Sequence, residues 1–282
     1  MNTFTKINDL KAEINKQKAA GKTIGFVPTM GYLHEGHASL MDHARKENDI
    51  VVLSIFVNPL QFGPKEDLAS YPRDLERDQQ VAENHKVDFI FYPTVDEMYP
   101  KEPSVTVTVK DRTDVLCGKS RPGHFDGVAT VLTKLFHIVS PDKVYFGMKD
   151  AQQVAVVDGL VNDFNFPLEI VSVPTVREED GLAKSSRNVN LLPEERKQAP
   201  AIYQGLKLAE KAIQNGEKDP SKIVELVKAH IQEQTEGSID YVEIYSYPEL
   251  KVMEELNGKI IIAVAVVFTK VRLIDNLIIS GL

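Results

Sequence analysis

The chain has 282 residues, of which 43% are hydrophobic and 26% are charged, and its formal net charge is -8. This length allows one large globular domain or two smaller ones. The acidic balance argues against a nucleic-acid-binding surface, which usually carries a basic excess, and favours a small-molecule substrate. Cys117 is the only cysteine, which excludes an intramolecular disulfide and a zinc site built from cysteines, and favours a reducing compartment.

The N-terminal stretch MNTFTKINDLKAEINKQKAA is charged throughout and predicts a surface helix, not the apolar segment of a secretion signal. The most apolar run, 260–268, is far shorter than the roughly 20 residues that a membrane-spanning helix needs. It predicts a buried strand. We therefore expect a cytoplasmic protein without a membrane partner.

Short apolar runs alternate with longer amphipathic segments over the first part of the chain. The strand candidates are 23–27, 50–57, 87–92, 143–146 and 168–173. The helix candidates, in which apolar residues recur at intervals of three and four, are 37–48, 68–85, 126–139 and 151–162. This alternation predicts a parallel sheet covered by helices.

After Val176 the pattern changes. A polar stretch is followed by helix candidates at 193–215 and 220–234 and by strand candidates at 241–245, 259–268 and 271–279. The closely spaced strands predict a small antiparallel sheet. The fold class is therefore α/β: a Rossmann-like parallel sheet with helices on both faces over 1–176, and a smaller C-terminal α+β domain over 177–282.

Polar and glycine-containing motifs follow the predicted strands. They are PTMGYLHEGH, NPLQFGP, GMKDAQQ and PTVREEDGLAKSSRN. In an open parallel sheet, ligands bind in the crevice beyond the carboxyl ends of the strands, so we expect these motifs to converge on one cleft.

The motif PTMGYLHEGH has the residue types of an anion site. Gly31 and Gly36 leave room for a phosphate or ribose near the backbone, and the helix that follows offers N–H groups and a positive dipole end. His34 and His37 add ring N–H donors. The spacing equally allows one histidine to cap the helix while the other is exposed. A zinc helix is disfavoured, because its two histidines lie four apart and these lie three apart behind a glycine.

The motifs GMKDAQQ and KSSRN add candidate phosphate ligands. Lys149 can reach a phosphate, and Asp150 can accept from a ribose hydroxyl or cap the next helix. Arg187 can neutralise phosphate charge, and Ser185 and Ser186 can donate to it. A solvated lysine and a flexible polar linker would have the same composition.

Amide and basic side chains complete the candidate set. Gln61 and Gln153 carry amides suited to a small polyhydroxy acid. In RPGHFDG, Arg121 and His124 precede a helix. They fit carboxylate or phosphate binding, and they fit a salt bridge equally well.

Seven runs of the sequence point to one family. They are PTMGYLHEGH, FVNPLQFGPKEDL, YPRDLERD, RPGHFDGVATVLTKLF, YFGMKDAQQ, VPTVREEDGLAKSSRN and VRLIDN. In this order they span nearly the whole chain, which resembles the pantothenate synthetase (pantoate–β-alanine ligase) family of the nucleotidyltransferase superfamily. The resemblance implies ATP-dependent condensation of (R)-pantoate with β-alanine through a pantoyl adenylate, with release of pyrophosphate and AMP and without a covalent enzyme intermediate.

The resemblance also implies site residues. It places ATP at Met30, Gly31, Tyr32, Leu33, His34, Glu35, Gly36 and His37, at Gly147, Met148, Lys149 and Asp150, and at Val176, Lys184, Ser185, Ser186 and Arg187. It gives catalytic roles to His37, His34, Lys149 and Arg187. It places pantoate at Gln61 and Gln153, with Gln61 also near β-alanine.

Further expectations follow from the same resemblance. Mg²⁺ would be held mainly by ATP phosphates and water, without a metal site on the protein. The family pattern makes His37 a proton donor, whereas electrostatic help is the chemistry we expect of it. The second domain and the loop around Lys184 would close over the nucleotide, and the protein would be a homodimer.

Two positions depart from the family pattern, and two other functions remain open. Met148 stands where a charged residue is usual, and Lys184 stands where an apolar residue usually precedes the two serines. Neither change removes a named catalytic group. The alternatives are an enzyme that transfers a nucleotide onto a phosphorylated acceptor and stops there, and a nucleotide sensor without catalysis.

Overall fold

A computed structural model describes residues 1–64, 66 and 68–281 of the chain. Lys65 and Asp67, within FVNPLQFGPKEDL, and Leu282 lie outside the described residues. The chain divides into two compact units: Met1–Met148 with Val156–Pro174, and Lys149–Ala155 with the chain from Thr175 onward. The predicted domain ranges, 1–176 and 177–282, remain a prediction.

The first unit is built on a parallel sheet of six strands in the order β1-β4-β3-β2-β5-β6. These strands are β1 (Asn2–Phe4), β2 (Ile24–Thr29), β3 (Ile50–Ile55), β4 (Phe89–Phe91), β5 (Lys143–Gly147) and β6 (Glu169–Val173). The helices up to this point of the chain are α1 (Ile7–Ala19), α2 (Glu35–Glu47), α3 (Leu75–Asn84), α4 (Val95–Met98), α5 (Leu116–Ser120), α6 (His124–Val139) and α7 (Ala151–Asp163). The predicted parallel sheet is confirmed.

Both faces of this sheet are buried. Successive residues of a strand point to opposite faces. One set of strand residues, which includes Val27, Leu53 and Ile90, packs in a core with residues of α2. The residues between them, such as Phe26 and Val52, are also fully buried. Burial on both faces explains why these strands are continuous apolar runs.

The second unit contains an antiparallel sheet in the order β7-β8-β9. Its elements are α8 (Pro193–Gln198), α9 (Ala201–Gln214), α10 (Pro220–Gln234), β7 (Ser238–Ser246), β8 (Ile260–Val267) and β9 (Arg272–Ile279). Leu206 of α9, Val227 of α10 and Ile262 of β8 lie in one hydrophobic core. The predicted small antiparallel sheet is confirmed. Within the described ranges, the structure has no helix with the length and apolarity of a membrane span.

Several predicted element boundaries are wrong, and three of them change the element itself. The N-terminal stretch, predicted as helix alone, begins with β1, which pairs with β4. The predicted helix 68–85 begins only at Leu75, because the Asp74 carboxylate caps it by accepting the N–H of Arg77. The predicted helix 193–215 is two helices separated at Ala199 and Pro200, where the proline ring cannot continue the hydrogen-bond ladder.

The central strands β2 and β5 separate before they end. They pair only at Gly25 and Phe26, although β2 continues to Thr29 along β3. Successive residues of β2 direct their N–H and C=O groups to opposite neighbouring strands. The carbonyl of Thr29 accepts the N–H of Phe56, directly after β3, and the carbonyl of Ile24 accepts the N–H of Asp142, directly before β5. Pro28 therefore faces β5 and has no N–H to donate. The sheet is open at this point.

A substitution at Gly127 of α6 tests how closely this helix approaches the backbone of Leu60 and Gln61. A Cβ at Gly127 would overlap the carbonyl of Leu60 and lie 2.6 Å from the backbone nitrogen of Gln61. We expect Gly127→Ala to destabilise the protein by about 1–3 kcal/mol, because backbone must move to admit the methyl group. Thermal denaturation measures the change.

The matched control is Gly159→Ala in α7. A Cβ there would meet the Arg112 guanidinium at 3.4 Å, an ordinary contact with a flexible side chain. Because alanine favours helix over glycine by roughly 0.5–1 kcal/mol, this variant should melt at the same or a higher temperature than the parent. Equal melting temperatures for the two variants would contradict the close approach of α6.

Candidate active site

The predicted ATP residues of the first unit follow the two strands that separate. Met30 to His37 comes directly after β2, and Gly147 ends β5. The strand order reverses between β2 and β5, which is where open α/β sheets bind their ligands. Met148 follows in the first unit, and Lys149 and Asp150 after it belong to the second unit.

His34 and His37 form a reciprocal cap at the start of α2. Nδ1 of His34 accepts the N–H of Gly36 at 3.1 Å, and Nδ1 of His37 accepts the N–H of His34 at 3.3 Å. The ring centroids are 4.1 Å apart. Both side chains are half-buried, so the alternative of one capping and one exposed histidine is wrong. A neutral imidazole that accepts through Nδ1 carries its proton on Nε2, and the cap therefore sets both rings as Nε2–H donors.

The two glycines of the turn make room for protein atoms. Gly31 has a φ of 86°, and a Cβ on it would lie 2.9 Å from Oδ2 of Asp78 and 2.9 Å from the Ile55 side chain. A Cβ on Gly36 would lie 2.8 Å from the ring of His34. Gly31, with its positive φ, thus requires glycine before any ligand is considered, and a side chain at Gly36 would displace the capping ring of His34.

Backbone N–H groups of the turn are also used inside the protein. The N–H of Tyr32 donates to Asp78 at 2.8 Å, and that of Leu33 donates to the same carboxylate at 2.7 Å. With those of His34 and Gly36, four N–H groups have internal acceptors. These four N–H groups are therefore not open to an anion, and of the helix α2 itself this concerns Gly36.

Asp78 lies on α3 and is 1% exposed. Burial raises the pKa of its carboxyl group, and the hydrogen bonds from Leu33 and Tyr32 act in the opposite direction. Sequence reasoning missed this residue. Its run, YPRDLERD, contributed to the resemblance, but an acidic residue in the first turn of a helix gives no sign of a contact far away in sequence.

Gln61 is buried at the end of the short 3₁₀ turn Pro59–Gln61. Its side-chain Oε1 accepts from Nδ2 of Asn58 at 3.1 Å, and its Nε2 lies 3.5 Å from the sulfur of Met30. The Oδ1 of Asn58 accepts in turn from the hydroxyl of Tyr99 at 3.0 Å. The structure thus brings two predicted ligand residues, Gln61 and Met30, together.

Arg121 and His124 support the backbone of Gln61. The carbonyl of Gln61 lies 2.8 Å from Nδ1 of His124. Arg121 donates to both oxygens of Glu66 at 2.8 and 2.6 Å, and its Nη1 lies 3.0 Å from Nε2 of His124. Of the two interpretations left open for Arg121, the structure supports the salt bridge. The hydrogen bond and the charge of Arg121 hold the pKa of Glu66 below its usual range.

In the second unit, a hairpin begins at Val176. The carbonyl of Val176 accepts the N–H of Lys184 at 2.9 Å, and Arg177 pairs with Ala183 across the hairpin. The Arg177 guanidinium donates to both oxygens of buried Asp275 on β9, at 2.6 and 2.9 Å. It also lies over the ring of Tyr203 at 3.6 Å. The hairpin is therefore fixed to the antiparallel sheet.

The predicted KSSRN residues follow this hairpin. Oγ of Ser185 accepts the N–H of Arg187 at 3.3 Å and caps the 3₁₀ segment Ser186–Asn190. The Lys184 ammonium lies 2.8 Å from Glu178. Lys184, which is predicted from the sequence to depart from the family pattern, thus forms an ion pair inside the hairpin.

Of the GMKD stretch, Lys149 and Asp150 belong to the second unit, where the backbone of Lys149 is held by a hydrogen bond. The carbonyl of Lys149 accepts from Nδ2 of Asn276 at 2.9 Å. The Lys149 ammonium lies 3.8 Å from the carboxylate of half-exposed Asp150. Gln153 is half-buried in the first turn of α7. Sequence reasoning also missed Asp275 and Asn276, which belong to the run VRLIDN without an assigned role.

Metal ligands do not cluster in the parts of the chain that the structure describes. Over 1–64, 66 and 68–281, no group of three or more His, Cys, Asp or Glu side chains is arranged to hold an ion. Mg²⁺ commonly binds through substrate phosphates and keeps several waters.

The fold and the turn after β2 define a class. The parallel sheet opens where its strand order reverses, and two imidazole donors lie at the start of the helix that follows. These features are typical of an α/β nucleotide-binding protein. Known proteins resolve the class further. The family model of pantoate-beta-alanine ligase matches residues 2–278.

Relatives agree along the whole chain. A pantothenate synthetase of Geobacillus sp. (strain WCH70) is 68% identical over 273 residues, which cover 97% of each chain. That of Bacillus subtilis (strain 168) is 60% identical over 280 residues, covering 99% of this chain and 98% of the relative. The chain belongs to the pantoate–β-alanine ligase family, and it is a ligase that condenses pantoate with β-alanine.

Solved structures agree with this assignment. Pantothenate synthetase from Thermus thermophilus superposes with a TM-score of 0.93 at 45% identity, covering 98% of this chain and 99% of that one. The pantoate-beta-alanine ligase from Francisella tularensis, solved with beta-gamma ATP and beta-alanine, gives a TM-score of 0.80 at 35% identity, with coverages of 98% and 97%.

The ion pair between Glu66 and Arg121 predicts that the stability of the protein depends on pH. Because the folded pKa of Glu66 is lowered, its pairing with Arg121 stabilises the fold above the unfolded pKa and is lost as pH falls through the folded pKa. Glu66→Gln should therefore lower the melting temperature at pH 7, and the difference from the parent should shrink below about pH 4. Glu254→Gln, at an exposed position, is the control. A difference that stays constant from about pH 7 to about pH 3 would contradict this role of Glu66.

Proposed function

We propose that this ligase works in two steps, with ATP as the activating substrate. A carboxylate oxygen of pantoate attacks the α-phosphorus of ATP, the bond from that phosphorus to the bridging oxygen breaks, and pyrophosphate leaves. The amine of β-alanine then attacks the acyl carbon of pantoyl adenylate. AMP leaves with the electrons of the acyl–oxygen bond, and the new amide nitrogen loses a proton.

In this proposal His34 and His37 stabilise the phosphates during the first step. The observation that carries the assignment is the reciprocal cap, which sets both rings as Nε2–H donors. Such donors strengthen as negative charge grows on the leaving pyrophosphate. This chemistry favours electrostatic stabilisation over obligatory proton transfer for His37, since the cap bond would be lost if Nδ1 became protonated.

Cationic and polar groups of the second unit complete the nucleotide ligands. Lys149 and Arg187 neutralise phosphate charge. The proposed ATP ligands are Met30, Gly31, Tyr32, Leu33, His34, Glu35, Gly36, His37, Gly147, Met148, Lys149, Asp150, Val176, Lys184, Ser185, Ser186 and Arg187. Support comes from family membership and from the local geometry of each segment.

Gln61 and Gln153 are the proposed pantoate ligands, with Gln61 also near β-alanine. The amide of Gln61 is fixed by Asn58, and its backbone is fixed by His124, so it is preorganised for a hydroxyl or carboxylate. A neutral amide brings no charge that would repel the carboxylate nucleophile.

The proposal also includes the metal ion, the lid, the oligomeric state and the cellular compartment of the enzyme. Mg²⁺ arrives on the phosphates of ATP, where it neutralises charge. The range 177–282 acts as a lid that keeps water from the adenylate, because hydrolysis would waste ATP. The protein is a cytoplasmic homodimer. Family membership supports the dimer, and a chain with a single cysteine suits a reducing compartment.

The first step is tested by pantoate-dependent exchange of labelled pyrophosphate into ATP. His37→Ala and Lys149→Ala should fold and lose exchange by roughly 10²-fold or more, because each removes a group that stabilises developing charge. His43→Ala, on the same helix as His37, is the matched control and should keep exchange. Near-normal exchange in either active-site variant would refute its role.

The second step separates a ligase from an enzyme that stops at nucleotide transfer. Adding β-alanine to enzyme, ATP and pantoate should release AMP in step with pantothenate. An adenylated product that accumulates unchanged in the presence of β-alanine would exclude the ligase.

The pantoate assignment predicts a selective effect on substrate requirement. Gln153→Ala should raise the KM for pantoate about 10-fold or more and change the KM for ATP little, because the lost amide contacts only the acid. Gln204→Ala, at an exposed position on α9, is the control. An unchanged pantoate KM would count against the assignment.

A further inference from the structure

The turn between β2 and α2 is held by a carboxylate from a distant part of the chain. Oδ2 of Asp78 accepts the N–H of Tyr32 at 2.8 Å, and Oδ1 accepts the N–H of Leu33 at 2.7 Å. Two consecutive amides thus share one carboxylate, and each oxygen takes one of them. An asparagine cannot reproduce this pattern, because its amide nitrogen would face one of the two N–H groups.

The backbone held by Asp78 is not in a relaxed conformation. Tyr32 has a φ of 52°, in the left-handed region that side chains other than glycine rarely adopt. Gly31, which precedes it, is also left-handed at 86°. A left-handed residue persists when surrounding contacts fix it. Here the contacts are the two hydrogen bonds to Asp78 and the guanidinium of Arg77, which lies 4.7 Å from the centre of the Tyr32 ring.

Packing around this turn is incomplete on one side. A cavity of about 190 Å³ lies beside it, and Met30, Gly31, Asp74 and Asp78 are among its lining residues. Side chains next to a cavity lack neighbours on one side. The two hydrogen bonds to Asp78 therefore hold the turn together with the packing of Leu33, which is fully buried in the core.

The next residue along the chain is the first histidine of the cap. The N–H of His34 donates to Nδ1 of His37, so the direction of the backbone at Leu33 decides where both rings lie. We propose that Asp78 is a positioning residue for the nucleotide: it holds the left-handed turn at Tyr32 and thereby aims the Nε2–H groups of the histidine pair. This inference rests on the proposed function, in which those rings bind phosphate.

The test compares two acidic residues near the start of α3. Asp78→Asn removes one of the two turn hydrogen bonds, whereas Asp74→Ala removes the helix cap, in which the Asp74 carboxylate accepts the N–H of Arg77. Both residues line the same cavity, and both variants should melt at a lower temperature than the parent. In the pyrophosphate exchange assay, Asp78→Asn should lower kcat about 10-fold or more and raise the KM for ATP. Its KM for pantoate should change less, and Asp74→Ala should stay within about twofold of the parent.

A spectroscopic measurement separates this inference from the proposed reaction. The ring ¹H–¹⁵N signals of His34 and His37 should shift in Asp78→Asn and stay in place in Asp74→Ala. If the parent shows no pantoate-dependent exchange, the proposed function fails and the histidine signals still decide the role of Asp78. Parent-like signals together with a parent-like exchange rate in Asp78→Asn would overturn the inference.

A rescue experiment covers the case in which Asp78→Asn folds poorly. Glycine adopts a positive φ without the steric cost that Tyr32 bears. In a Tyr32→Gly background, Asp78→Asn should therefore lower exchange by a smaller factor than in the parent. An equal factor in both backgrounds would show that Asp78 does not act by holding the left-handed turn.

Discussion

The site in the first unit depends on the separation of two central strands. Beyond Phe26, β2 keeps hydrogen bonds to β3 and loses its partner on the side of β5. Every buried backbone group that leaves a ladder needs another partner. At the end of β2, Thr29 shows how this need is met: its hydroxyl donates to the Ser54 carbonyl at 2.7 Å and accepts the N–H of Gly31 at 3.2 Å. The residues that follow also use a side chain as the partner: the N–H groups of Tyr32 and Leu33 donate to the Asp78 carboxylate.

Each unit uses one buried aspartate to fix a segment assigned to ATP. Asp78 accepts backbone N–H groups in the turn after β2, and Asp275 accepts from the guanidinium of Arg177 at the base of the hairpin. Burying a carboxylate is costly unless its oxygens find donors. Asp78 accepts two backbone N–H groups, and Asp275 accepts two N–H groups of the Arg177 guanidinium and the backbone N–H of Asn276. Each carboxylate thus gains donors from the segment that it orders, and removing Asp78 takes the acceptor from two backbone N–H groups.

The architecture was largely predictable, because burial on both faces leaves long apolar runs that sequence reveals directly. The order of motifs along the chain also identified the family. Contacts between distant positions were not predictable in the same way. Nothing near Asp78 in sequence indicates that it meets Tyr32, and nothing near Asn276 indicates that it meets the carbonyl of Lys149. β1 escaped prediction because three residues carry no usable periodicity.

The glycines of the PTMGYLHEGH motif show a related limit. Sequence reasoning connected Gly31 and Gly36 with a ligand, since a missing side chain leaves space for one. The structure fills that space with the Asp78 carboxylate and the His34 ring. The connection of the two glycines with a ligand site stays a prediction. Their physical role is one step removed from the ligand, in the groups that set the shape of the turn.

Pro28 limits the hydrogen bonding between β2 and β5. Two neighbouring parallel strands tend to extend their ladder whenever both present N–H and C=O groups, and an extended ladder between β2 and β5 would seal the opening. A proline on the facing side of β2 cannot donate, so the ladder cannot grow past Phe26 by that route. One potential hydrogen bond between the two strands beyond Phe26 is therefore absent whether or not a substrate is bound.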